Sequence, residues 1–151
     1  MANFESQLIA LIDSANEICG AAEKSGRSNE FDGSEWTPAI ILGHIVDVDK
    51  EVWMARFELM RQAQASGDAI PQFQWWEPDP VTTAEKYSKQ SFVDARAKLM
   101  ASRESMVSYL KNLSTTERSA TAEHRTFGLI TIESMLQVLL DHDKEHQVSL
   151  L

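Results

Sequence analysis

Apolar residues recur along this chain in alternating steps of three and four, the repeat of a helix that buries one face. Phe4, Leu8, Leu11, Ala15, Ile18 and Ala22 lie on one such stripe, which predicts a first helix over residues 3 to about 24. Cys19 sits beside the stripe and reads as a small buried hydrophobe. The segment KSGRSNEFDGSE (24–35) mixes glycine, serine and charge, the composition of a connecting loop. Thr37 can cap a second helix, and Pro38 suits the first helical position because its missing N–H would have no partner there. This helix runs to Ser66 with Ile41, His44, Val48, Val52, Ala55 and Leu59 as its stripe, and Gly67 supplies a C-terminal stop.

The next stretch, GDAIPQFQWWEPDPV, holds three of the four prolines and two of the four tryptophans. It predicts a long crossover loop between helices two and three, too long for a tight connection. Phe73, Trp75 and Trp76 are expected to fold back over the core, to rim a pocket, or to make a dimer contact. Thr82-Thr83-Ala84-Glu85 reads as a capping box for the third helix. That helix carries Phe92, Ala95, Leu99, Ser102, Met106, Tyr109 and Leu113 as its stripe. Ser114-Thr115-Thr116-Glu117 repeats the capping pattern and predicts a short helical turn. Residues 117–131 show no regular period, and Thr131 is expected to cap the last helix. With no strand-like alternation and no internal repeat, the chain reads as an all-α four-helix bundle, one domain over 1–151.

Composition narrows the function classes. The chain is 43% hydrophobic and 25% charged, which fits a globular protein and excludes a disordered one. No apolar run reaches a membrane span, and the start shows no targeting segment. A single cysteine precludes an internal disulfide and agrees with a reducing compartment; the expectation is a cytoplasmic protein. A net charge of −9 with no basic patch disfavours nucleic acid and anionic membrane as partners.

One stripe breaks the apolar rule. On the last helix Ile132, Met135, Leu139, His142, His146 and Ser149 form a 3-4-3-4-3 seam, which changes from aliphatic residues to two histidines. Four residues at a rise of about 1.5 Å place these imidazoles about 6 Å apart on one face. His44 lies on the apolar seam of the second helix. If the two helices are neighbours, His44, His142 and His146 can converge on one divalent ion, with Zn²⁺, Ni²⁺ or Fe²⁺ matched to imidazole nitrogen. Three protein ligands leave a position open, the pattern of catalytic sites. Asp47, three residues after His44, is the first candidate to orient an imidazole through its second nitrogen, ahead of Asp141, Asp143 and Glu145. The helix lacks the glutamate of H-E-x-x-H, so no zincin-type base is encoded. Alone, H-x-x-x-H is a weak signal, since two histidines near a chain end also make a solvated face; with His44, on an independent seam, the spacing weighs evenly between an ion and a solvated face.

These residues carry a resemblance. The stretch Trp36–Trp53, with a tryptophan, a helix start, His44 and Asp47, is similar to the DinB-like family of metal-dependent proteins. The tail resembles that family's other signature, a His-x-x-x-Gly-x-x-Thr lead-in to a helix ending in H-x-x-x-H, here His124, Gly128, Thr131, His142 and His146. The resemblance implies a four-helix bundle holding a metal on His44, His142 and His146. It also implies a thiol-dependent transferase or isomerase that uses a small thiol such as bacillithiol or mycothiol on an electrophilic small molecule, and it makes a homodimer plausible. A metal-dependent hydrolase is the alternative, and a non-catalytic metal- or ligand-binding dimeric bundle the third reading. His124 is expected to bond backbone ahead of the last helix. If its loop covers the site, His124 becomes an acid or base and Arg125 a holder of a substrate carboxylate.

Overall fold

Side chains satisfy the orphan N–H groups at most of the helix starts. The computed structural model describes residues 3–151. Asn3 opens α1 (Phe4–Lys24), its side-chain oxygen accepting from Ser6 N. Thr37 opens α2 (Pro38–Val48) by accepting from Ile40 N, with Pro38 in the first turn as expected. The helix then passes through a π-helical turn, Asp49–Met54, into α3 (Ala55–Ser66), which stops at Gly67 with a left-handed φ of 69°.

The π turn changes which face is buried. A π turn holds one more residue than an α turn, so every position after it moves on by one. The sequence stripe expects Ala55 and Leu59 inside. Instead Phe57 and Met60 are wholly buried, while Ala55 is exposed and Leu59 is half exposed.

Beyond α3 come β1 (Gln72–Phe73) and α4 (Pro80–Tyr87). The expected capping box at Thr82 does not start the third helix. Thr82 lies inside α4 with its hydroxyl donating to Asp79, the chain turns at Ser88–Gln90, and Ser91 caps α5 (Phe92–Lys111) by accepting from Asp94 N. On α5, Ala95, Leu99 and Met106 are buried as expected. The neighbouring Arg103 and Leu110 are buried too, at positions where the stripe expects Ser102 and Tyr109.

The capping box at Ser114 is present in both halves and starts α6 (Thr115–Arg118). The stretch after it is not irregular. It forms β2 (Thr121–His124) and β3 (Gly128–Thr131), an antiparallel pair, with β1 parallel on the other edge of β2. Only Ala122 and Ile130, directly paired, bury apolar side chains from the two strands. A single buried pair is too short to register as an alternating pattern. Thr131 then caps α7 (Ile132–Ser149) with Ser134 answering it.

Four long helical units build the bundle: α1, α2 with its continuation into α3, α5, and α7. α1 packs on α7 and α5, and α5 packs on α2. Beside a small cluster of Ile40, Ala84 and Tyr87, the core falls into two large apolar blocks. One holds Leu11, Phe57, Met106 and Leu139, the other Ala15, Ile18, Leu42, Ile45 and Leu99.

Between these blocks lies a polar layer. Arg103, with no exposure, donates to Asp143 Oδ2 at 2.6 Å and to both carboxylate oxygens of Asp49 at 3.2 Å. Its Nη1 also donates to Leu11 O at 2.9 Å. Ser102 donates to Asp49 and Ser14 to Asp143. Burial alone would lower the Arg103 pKa, but the two carboxylates outweigh it and hold the guanidinium charged. The layer thus ties α1, the π turn, α5 and α7 together at one level. No helix among the described residues is long and apolar enough to cross a membrane.

Candidate metal centre

α2 and α7 do not pack closely on each other, and side chains bridge the space between them. His44 reaches in from α2 and is buried, with its ring 5.0 Å from Trp36 and stacked on Trp76 at 6.4 Å and 15°. His142 and His146 reach in from α7, one turn apart, both half-buried. One ligating nitrogen from each of the three lies within 4.8 Å of the others.

The donor set fits a divalent transition metal. The Nε2 atoms of His142 and His146 are 3.2 Å apart. Two imidazole nitrogens on a tetrahedral ion, each at about 2.0–2.1 Å, stand about 3.3 Å apart. Burial pulls the His44 pKa down to about 4, and the His146 and His142 rings add to the effect. Burial also lowers His146 to about 4 and displaces His142 downward. All three imidazoles are therefore neutral at pH 7, the form that ligates.

The nitrogens turned away from the centre hold a departure from the sequence reading. Asp47 does not orient an imidazole. Its carboxylate accepts from Tyr87 Oη and, at 2.8 Å, from Lys86 Nζ, which fastens α4 to α2. His44 Nδ1 and His142 Nδ1 are buried with no partner among the described residues. Asp143 points to Arg103 instead, and Asp141 accepts from Gln137 on the helix surface. Of the acidic residues near the pair, Glu145 alone reaches the cavity wall.

The rings open onto a cavity of about 240 Å³ walled by Val48, Val52, Trp53, Met135 and Val138 and by the aromatic rings of Trp75, Trp76 and Phe127. The proline-rich loop is thus cavity wall, with Trp76 also packed against the core. His124, at the end of β2, is buried and lines the same cavity. Its Nδ1 accepts from Thr126 N at 3.0 Å and Phe127 N at 3.4 Å, the backbone bonding expected of it. Arg125 is exposed and absent from the wall; its N–H completes the bond of β2 to β1 at Phe73 O. The arginine that does line the cavity is Arg56 of α3. The extra residue of the π turn is what rotates it inward, so a regular helical stripe gives no sign of it.

Against families of known proteins, the DinB superfamily model matches residues 10–148. The chain belongs to the DinB superfamily. Among curated proteins nothing matches. Among solved structures this DinB superfamily member is similar to YfiT from Bacillus subtilis, described as a probable metal-dependent hydrolase with an unusual four-helix bundle topology. The two share 18% identity with a TM-score of 0.68, over 96% of this chain and 82% of the other. At that identity the likeness establishes the bundle. The resemblance read from the two histidine blocks and the four-helix architecture both hold.

Proposed function

We propose that this DinB superfamily protein is a metal-dependent enzyme acting on a small molecule, with His44, His142 and His146 holding the ion. The observation that carries the reading is the convergence of three neutral imidazoles from two helices at the floor of an aromatic cavity. A divalent ion bound there would supply Lewis acidity and lower the pKa of a nucleophile beside it.

A thiol is the favoured nucleophile, which makes the protein a transferase or isomerase with a low-molecular-weight thiol as cosubstrate. A thiol loses its proton to a metal outright, whereas a water benefits from a base at hand. His124 is a poor base: its acceptor nitrogen is already taken by two backbone N–H groups, so its other nitrogen carries the proton. The apolar wall also suits a sulfur and an electrophilic partner. A hydrolase is the second reading, and Glu145 favours it, since this carboxylate lines the cavity one residue before His146.

Metal analysis of untagged protein tests the common part. Close to one equivalent of a transition metal is expected after reconstitution, and less than about a tenth of an equivalent rejects both readings. Thiol titration of a cobalt-loaded sample then separates them. A new sulfur-to-cobalt charge-transfer band supports the transferase. An unchanged spectrum, with hydrolysis of small esters or amides lost in Glu145→Gln, supports the hydrolase.

A further inference from the structure

The cavity wall carries polar groups besides the three histidines. Arg56 is the single Arg or Lys on its wall among the described residues. Its guanidinium lies 4.8 Å over the Phe73 ring, and Nη2 donates to Gln74 O at 2.7 Å. It forms no ion pair with any carboxylate among the described residues. Burial displaces its pKa downward, the mark of a charge that has lost water without gaining a counter-ion. A half-buried, unpaired guanidinium is unusual, because desolvated charges are ordinarily paired.

His124 stands beside it. Phe73 and His124 are direct partners in the parallel pair of β1 and β2, so their side chains leave the same face of the sheet about 5 Å apart. The guanidinium over Phe73 therefore belongs to the same side of the sheet as the imidazole, and both line the cavity. Because Nδ1 accepts from Thr126 and Phe127, Nε2 carries the proton and can only donate. It makes no hydrogen bond within the described residues. Arg56 and His124 thus present donors with no acceptor between them. Glu77 and Glu145, the acidic groups of the wall, are exposed.

We propose that Arg56 and His124 form the binding seat for the carboxylate of the substrate, which fixes the substrate class as a small monocarboxylate with a flat apolar body. Two donor groups match the two oxygens of one carboxylate. One positive charge matches one negative charge, and the wall offers no second cationic side chain for a phosphate dianion. The body of the molecule lies against Trp75, Trp76 and Phe127, and a cavity of about 240 Å³ holds about one ring with a short substituent. The far end of the molecule then faces the three histidines. This inference rests on the enzymatic reading above for the word substrate, but the seat is a property of the cavity itself.

Benzoate and its neutral isostere benzamide are the probes, with binding followed by calorimetry on reconstituted and on chelator-treated protein. Benzoate is expected to bind at least tenfold more tightly than benzamide. Arg56→Gln is expected to weaken benzoate at least tenfold in both preparations, with benzamide unchanged and metal content unaltered. Arg56→Lys, which keeps the charge but loses the fork, is expected to fall between. Equal binding of the two probes overturns the proposal, as does an Arg56→Gln protein that binds benzoate as well as the parent. If the protein takes up no metal yet Arg56→Gln still weakens benzoate, the seat stands and the metal reading fails. If metal binds normally but benzoate ignores Arg56, the seat fails alone.

Discussion

His142 and Asp143 are consecutive on α7 and look in different directions, His142 into the cavity and Asp143 into the buried layer around Arg103. Consecutive residues on a helix are turned by about 100°, so the bond that holds Asp143 to Arg103 also sets the direction of His142. Arg103 holds Asp49 in the same way, five residues after His44. One guanidinium thereby fixes the rotation of both helices that carry the histidines.

Removing one member of this layer leaves the others buried and uncompensated. Asp143→Ala is expected to cost about 3–5 kcal/mol, the usual penalty for half of a buried pair, read as a fall in the urea midpoint. Replacing Arg103, Asp49 and Asp143 together with apolar residues of similar volume is expected to restore much of that stability. It should not restore tight metal binding, because the rotation of α7 is then set by packing alone. A triple variant with unaltered metal affinity would separate the layer from the site.

Stability of the metal-free protein should fall as pH drops from about 6.5 toward 4. His44 and His146 titrate at about 4 in the fold against an ordinary value of 6.5. Between these values the unfolded chain binds protons that the folded chain refuses, so protons favour unfolding. The stabilising contribution is complete above 6.5 and is lost toward 4. The urea midpoint at pH 5 is expected below that at pH 7, with a smaller difference in His146→Gln. Equal pH dependence in the two proteins would count against the depressed pKa values.

Gly43 marks a close approach between α2 and α4. A Cβ there would stand 2.5 Å from Tyr87 Cγ, and Tyr87 cannot give way easily because its hydroxyl is held by Asp47. Gly43→Ala gains about 1 kcal/mol in helix propensity, yet overpacking of a fixed ring costs about 1–3 kcal/mol or more. The net expectation is a lower melting temperature. Gly43→Ala should cost less in a Tyr87→Ala background than in the parent, since the clash is then gone.

Much of this was readable from stripes and caps. Thr37, Pro38, Gly67, Ser114 and Thr131 mark helix ends because their chemistry acts locally, and the stripe of α1 is buried from Leu8 to Ala22, with Phe4 partly buried. His44, His142 and His146 stood out because polar rings interrupt apolar seams. Three features escaped the pattern for physical reasons. Arg103 sits one position from the expected stripe, and a charged residue reads as surface until its partners on other helices are known. Strands β1, β2 and β3 are too short for a period. Asp47 is close to His44 in sequence, but Tyr87 and Lys86, which claim it, are some forty residues away.

The π turn offers the sharpest check on helix phase. Deleting Lys50, an exposed residue within it, lets the turn close as regular α-helix. Phe57 and Met60 then take the places one position earlier, which are the inward places of the unbroken stripe from Ile41 through His44 and Val48. The deletion is therefore expected to fold, with unchanged helical content by circular dichroism and full metal stoichiometry. Inserting an alanine after Lys50 does the opposite. It turns α3 by about 100°, carries Phe57, Met60 and Arg56 off their faces, and should lower the melting temperature by far more than the deletion does. If deletion and insertion are equally damaging, the extra residue is needed for its own contacts and the phase argument falls.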